Sequence, residues 1–353
     1  MRCTNEMLGR LRQEADPLAD QAIARLFGQG PIHELCALLP ALVPCPRTGP
    51  APALPDNVKD WLRANAQLPV WADSERIDRA ARIFMKRGVT IALILGTASL
   101  VECYAAARGV KALTFSNRLH QDTHRRLMES VHWVSLIMTP GALDEGGPGL
   151  WAVYKVRLMH SAIRHLIGRS GRWEAETLGT PLCQEDMAGT LMTFAYTVLR
   201  GLAQLDLRLS AQEQEDYLYF WRVVGHMLGV RPELLPENMA EARALTDRIY
   251  QRQHGASDEG LQMTRAMLKT YAQQARFRPL QGFLPALTRY LVGEPLANLV
   301  QIPRGPWDSV VPYYRWVGAL LDFGWFLYSY GASSLTRRRP SSERTATYGA
   351  SGL

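Results

Sequence analysis

The sequence predicts an all-α protein. From about residue 57 to residue 330, apolar residues recur at the three- and four-residue spacing of a helix face. Period-two alternation, which marks a half-buried strand, is hard to find over five or more residues. No block repeats at a fixed period, so a solenoid is not indicated. With 353 residues, of which 47% are hydrophobic, the chain is long and apolar enough for a sizeable core.

Composition divides the chain into four segments. Residues 1–45 carry helical apolar spacing and are expected to form short helices. Residues 46–56, PRTGPAPALPD, form a proline-rich connector. Residues 57–335 form the main helical domain, and residues 336–353 a disordered basic tail.

Start and stop signals place the helices of the main domain. We expect a helix at 73–108, which is either long or broken at Gly88 and Gly96, and further helices at 118–138, through 153–167 and from 184 to about 205. A capping box at Ser210 and Glu213 should start the next helix, which runs to Gly229. The last two helices are expected from Pro236 to about 253 and from a Ser257 cap to about 274. Residues 279–330 are expected to be helical but broken by five prolines. The small residues at 96–99 would let another helix or a flat ligand approach closely, although packing alone also explains them.

Bulk charge and missing motifs exclude several functions. The formal charge of +7 is modest and no basic patch is interleaved with aromatic residues, so nucleic acid is not an expected partner. The five cysteines form no CxxC or CxxCH pair, which favours a reducing, cytoplasmic setting. There is no GxSxG, phosphate loop or HExxH, so hydrolase, kinase and zincin chemistry is not supported.

Two apolar stretches resemble membrane spans without fitting one. Residues 89–101 are too few to cross a bilayer, so we expect a buried core helix. Residues 310–331 carry Arg315 and Asp322, which favours a segment docked on the protein or lying at a membrane surface. The N-terminus lacks the apolar core of a signal peptide, so the expected location is cytoplasmic, with membrane association through 310–331.

The helix through 153–167 carries the main candidate site. His160 falls in the apolar stripe of this helix, and Arg157 and Arg164 lie within a turn of it on either side. This pattern suggests a metal-bearing anionic ligand, with the imidazole on the metal and the arginines on carboxylates. The alternative is a core histidine bonded to backbone, with both arginines reaching to the surface.

A second polar group borders the core side of the preceding helix. Arg126, Glu129 and Ser130 lie at i, i+3 and i+4, where they could gate a metal site, bind an oxygen species or move protons. An Arg–Glu ion pair explains the same pattern. The other histidine patterns are weaker, because His120 and His124 lack a third ligand and Glu129 with His132 forms a single ExxH. His226 is a second axial-ligand candidate or a core histidine.

These blocks together resemble the rubber oxygenase/MpaB family. RLMHSAIRHLI is similar to its RxxHxxxR helix, and five further blocks agree in order and spacing, namely SLVECYAAARGVKAL, RLMES, GTPLCQEDMAGTLMTF, WRVVGHMLGV and LLPENMAEARAL. The resemblance covers roughly residues 75–275. It implies an all-α, globin-like core around one haem b, with the iron on His160 and with Arg126 and Ser130 on the distal side.

The resemblance implies a haem-dependent oxygenase that acts with dioxygen on an apolar, isoprenoid-type substrate. Arg157 and Arg164 would orient the haem or pair with its propionates. Where the latex-clearing enzymes carry a distal lysine, this chain has Glu129, which leaves the substrate and the choice between C=C cleavage and oxygenation open. A haem-binding sensor or carrier, and a haem-free helical scaffold for partner contacts, are the alternatives.

Overall fold

A computed structural model describes residues 3–27, 38–39, 41–42, 54–115, 123–274, 281–314, 318 and 322, with backbone alone at 123–127 and 274. Over these residues the regular structure is helical and no strand forms, which confirms the all-α prediction. The helices are α1 Asn5–Leu11, α2 Pro17–Phe27, α3 Asp56–Asn65, α4 Ser74–Ile94, α5 Leu100–Ala105, α6 Gly109–Thr114, α7 Thr123–Ile137, α8 Pro148–Arg169, α9 Ala175–Leu178, α10 Gln184–Phe194, α11 Tyr196–Gln204, α12 Ala211–Met227, α13 Met239–Gln253, α14 Asp258–Gln274, α15 Phe283–Val292 and α16 Glu294–Leu299.

The N-terminal helices are part of the main core. Leu8, Leu11 and Ile23 are fully buried and belong to the same apolar cluster as Val153 and Leu158 of α8. Helix α2 packs along α8, so the segment before the connector covers one side of the histidine helix. The predicted domain boundaries stay a prediction, since most of 46–56 and all of 336–353 lie outside the described residues.

A π-helical turn interrupts the long apolar helix. α4 is kinked at Arg87, beside the predicted break at Gly88, and the π turn Leu95–Ser99 contains the predicted break at Gly96. The π turn is buried against α10, α11 and α15. In the described part of the chain, one helical stretch, Ser74–Ala105, is long and apolar enough to cross a membrane, and 72% of its apolar window is buried inside the protein.

The later helices follow the predicted order with two corrections. The capping box at Ser210 and Glu213 opens α12 as predicted. The single helix expected from 184 to 205 is wrong, because the backbone bends at Ala195 and divides it into α10 and α11. The bend is tolerated because the Tyr217 hydroxyl donates to the carbonyl of Phe194. Helix α13 begins at Met239, not Pro236, because the Asn238 side chain caps it by accepting from the Glu241 N–H.

The C-terminal segment is helical with interruptions, as predicted, but two of its prolines lie where helices begin. Pro285 and Pro295 lie in the first turns of α15 and α16, where a missing N–H leaves no helical bond unmade. Beyond these helices, the buried Asp322 accepts from the N–H and the hydroxyl of Thr90 at 3.0 and 2.8 Å. This contact docks the chain at Asp322 onto α4, while most of the predicted 310–331 segment lies outside the described residues.

Candidate functional site

His160 lies in the middle of α8 and is half-buried. Part of its surface is still accessible, yet burial lowers the pKa of its imidazole from 6.5 to about 4, and the charge of Arg164 adds to this effect. Asp16 opposes the shift. The imidazole is therefore neutral near pH 7, and its buried Nδ1 has no hydrogen-bond partner. A neutral, uncommitted ring nitrogen is the form in which histidine binds metals.

Arg157 is buried and paired with a carboxylate from the N-terminal segment. Its Nε and Nη2 donate to the two oxygens of Asp16 at 2.6 and 2.8 Å, and its Nη1 donates to the Met227 carbonyl at 3.3 Å. The side chain is only 11% exposed. Two parallel charge-assisted bonds fix both groups, because the planar guanidinium matches the carboxylate.

Arg164 forms a second pair one turn further along α2. Its Nε donates to Asp20 at 2.9 Å, and the Ser161 hydroxyl donates to the same oxygen at 2.6 Å. Its Nη1 donates to the Leu182 carbonyl at 3.3 Å. Arg164 is 7% exposed. Neither arginine reaches out to solvent, so the alternative in which both extend to the surface is wrong.

Sequence reasoning missed Asp16 and Asp20. Their signal is weak but present, since they are spaced i, i+4 and Asp20 follows Ala19 on a helix whose Ala22 and Ile23 are buried. An acidic residue on the buried side of a helix needs a cationic partner. The sequence does not say which arginine supplies it, because each pair joins residues more than 140 positions apart.

The two blocks QEDMAGT and VGHMLGV meet at the turn that contains Asp16. Gln184 donates through Nε2 to the carbonyls of Ala15 and Gly229 at 2.7 and 2.9 Å, and its Oε1 accepts from the Arg231 N–H at 2.8 Å. Gly229 has φ of +84°, and a Cβ there would lie 2.3 Å from the Asp16 carboxylate. Glycine is required because the loop passes so close to the ion pair.

Helix α7 carries the predicted distal residues beside α8. The Trp133 Nε1 donates to the Ala152 carbonyl at 3.3 Å and ties the two helices together. Glu129 is half-buried and Ser130 is exposed, while the side chain of Arg126 lies outside the described residues. On α7, Trp133, Val134 and Ile137 are buried and form its core-facing side, and Met138, directly after the helix, is buried as well.

Two of the other described histidines pack against aromatic rings. His226 meets the Trp71 ring edge-on at 5.6 Å, and burial followed by the charges of Arg157 and Arg222 lowers its pKa. His254 stacks on Tyr250 at 4.1 Å. Burial also lowers the pKa of His165. His120 and the side chain of His124 lie outside the described residues, and within the described ones no group of three or more His, Cys, Asp or Glu could hold a metal ion.

The fold is all-α, and one of its central helices carries a neutral histidine between two arginines that are each paired with a carboxylate. The family model for the catalytic domain of the ER-bound oxygenases mpaB/B' and rubber oxygenase matches residues 77–323. The chain belongs to this family, and with it to the oxygenases.

Two comparisons show similar proteins. A rubber oxygenase of Streptomyces sp. (strain K30) is 26% identical over 295 residues, which cover 82% of this chain and 71% of that protein. A solved structure of a latex clearing protein in the closed state superposes with a TM-score of 0.72 at 22% identity, over 90% of this chain and 91% of that one. The second likeness establishes a shared fold.

Proposed function

We propose that this oxygenase is haem-dependent and acts with dioxygen on an apolar, isoprenoid-type small molecule, by oxidative C=C cleavage or by oxygenation. The observation that carries the proposal is His160, whose imidazole is neutral and has a buried ring nitrogen without a partner. A single neutral imidazole is a common axial donor to haem iron. Helix α7, which carries Glu129 and Ser130, packs against α8, which carries His160.

Each residue of the site has a role in this proposal. His160 would hold the iron of haem b, and Arg157 and Arg164 would orient the helix that presents it. When bound, the haem supplies the iron centre at which dioxygen is activated. Arg126 and Ser130 would line the oxygen-binding side of the site, and the half-buried residue Glu129 would accept a proton from the substrate.

The surroundings of the substrate follow from its chemistry. An oxidisable hydrocarbon binds in a pocket lined mainly by apolar side chains, because burial there removes its surface from water. Peripheral membrane contact through 310–331 would give the enzyme access to a membrane-dissolved substrate, which is supported by the apolar sequence of that segment and its two charged residues.

The test is haem binding by three histidine variants. We expect His160→Ala to keep its helical content but to bind little or no haem, whereas His165→Ala and His226→Ala retain it. His165 is the matched control because it lies on the same helix, about 140° around it from His160 at 3.6 residues per turn. The measurement is the ratio of Soret to protein absorbance after reconstitution with hemin.

The possible results separate the proposal from its alternatives. A full, unshifted Soret band in His160→Ala removes the ligand assignment. If the wild-type protein shows no Soret band, the proposal fails and the haem-free scaffold is the remaining alternative. Haem binding without oxygen uptake in the presence of prenyl substrates points to a sensor or carrier.

A further inference from the structure

We infer that Asp16 and Asp20 are positioning residues of the His160 site, so that the N-terminal segment is part of the cofactor-binding machinery. They act through an aspartate clamp, defined here as Asp16, Asp20, Arg157, Ser161 and Arg164. The inference rests on the proposed role of His160 in binding haem. Both aspartates lie outside residues 77–323, which the family model matches.

The clamp holds α8 one turn before and one turn after the histidine. At 100° per residue, Arg157 and Arg164 lie about 60° and 40° around the helix from His160, both on the same side of it. Asp16 binds the first through two bonds of 2.6 and 2.8 Å, and Asp20 binds the second at 2.9 Å. The rotation of the helix, and with it the direction of the imidazole, is therefore fixed from α2.

The clamp also sets the charge around the site. Arg157 and Arg164 stay protonated when buried, because the guanidinium does not lose its proton in proteins. Each is neutralised by one carboxylate, so the histidine helix presents no net charge from these two residues. Loss of one carboxylate leaves an unpaired cation near His160, which disfavours the more positive ferric iron and raises its reduction potential.

This arrangement changes the role expected for the arginines. Arg157 commits Nε and Nη2 to Asp16 and Nη1 to the Met227 carbonyl. A haem propionate would have to displace a bidentate carboxylate already in place. Arg157 therefore orients the histidine helix and does not bind a propionate.

The experiment compares Asp16→Asn and Asp20→Asn with Asp60→Asn in the full-length haem protein. Asp60 bonds to Arg63 at 2.7 Å, but both side chains are exposed, so the same chemical change is made without burial. We expect haem transfer to apomyoglobin to become about tenfold faster in the first two variants, the usual loss when a residue supporting a metal ligand is removed. Their reduction potential should shift to more positive values, and Asp60→Asn should match wild type in both measurements.

A charge-restoring variant separates positioning from loss of packing. In Asp16→Asn with Arg157→Met the unpaired cation is gone, so the reduction potential should return towards that of wild type even though the clamp is broken. A merely structural role predicts no such return. If Asp16→Asn does not fold, the same measurements are made on Asp20→Asn and Ser161→Ala. These changes disturb the core less, because the Asp20 side chain is 35% accessible and Ser161 contributes a single hydroxyl.

The outcomes distinguish the two proposals. If wild type holds haem while Asp16→Asn and Asp20→Asn match Asp60→Asn, the clamp inference is overturned and the proposed function stands. If the reduction potential of the double variant stays at that of Asp16→Asn, the charge argument is overturned. If wild type takes up no haem, the proposed function fails and the inference fails with it.

Discussion

Two buried arginines and their counter-ions set the electrostatic environment of His160. A buried guanidinium without a counter-ion is costly, because burial removes its hydration and its pKa is too high for it to neutralise. In this protein Asp16 and Asp20 supply the missing negative charges, and carbonyls of Met227 and Leu182 accept from the remaining nitrogens. The imidazole between them is left neutral by burial.

A glycine beside the Asp16 carboxylate yields a prediction at the residue scale. Gly229 and Gly171 both follow the C-cap of a long helix and both have positive φ, of +84° and +66°. Nothing lies within 4 Å of a Cβ at Gly171, whereas a Cβ at Gly229 lies 2.3 Å from Asp16. Gly171→Ala should cost about 1–2 kcal/mol, the left-handed backbone penalty alone.

Gly229→Ala should cost clearly more than Gly171→Ala, on the order of 3 kcal/mol or above, since it must also displace the buried ion pair. Urea unfolding of both variants and wild type measures the difference. Equal free energies of unfolding for the two variants would show that the loop moves away from Asp16 without cost.

At the scale of elements, the π turn between α4 and α5 is the structure most dependent on its neighbours. A π turn widens the helix and leaves carbonyls without their usual partner. The Tyr271 hydroxyl from α14 donates to the Gly96 carbonyl inside this turn, and the Ser99 hydroxyl donates to the Thr193 carbonyl of α10 at 2.7 Å. Two other helices thus hold the irregular turn in place.

Removal of one hydroxyl tests this support. Tyr271→Phe should destabilise the protein by about 1–3 kcal/mol, because it leaves a buried carbonyl unpaired. Tyr290→Phe is the matched control, since the Tyr290 hydroxyl also donates to a carbonyl, that of Gln204, but from a side chain that is 36% exposed. Its expected cost is below about 1 kcal/mol. Similar unfolding midpoints in both variants would argue against the role of Tyr271.

At the scale of the whole molecule, the site joins segments that are far apart along the chain. The N-terminal segment supplies Asp16 and Asp20 to the central α8, and α7 packs against α8. The site is therefore formed only when distant parts of the chain have packed, and its assembly should coincide with folding of the core.

The docked Asp322 gives a prediction for membrane association. A carboxylate held by the N–H and hydroxyl of Thr90 belongs to a segment packed on the protein, and a charged group is costly in the centre of a bilayer. Alkaline carbonate should release the protein from membranes into the supernatant, with an integral membrane protein as the control that stays in the pellet. Retention in the pellet would identify a true membrane span.

Local patterns in the sequence determined the helical class, the histidine helix and the Ser210 capping box. These features depend on residues within one or two turns, which the period of 3.6 residues brings together wherever the helix lies. The same locality explains the errors. The bend at Ala195 depends on the Tyr217 hydroxyl, and the start of α13 at Met239 depends on which of several polar residues becomes the cap.

The tertiary structure alone decided what surrounds His160. Arg157 and Arg164 were visible as neighbours on its helix, but their partners Asp16 and Asp20 lie 141 and 144 residues away along the chain. The need for a counter-charge follows from burial, and burial is known only once α2 is packed against α8. The sequence of a helix shows which residues share one of its faces. Which residues pack against that face is known only from the tertiary structure.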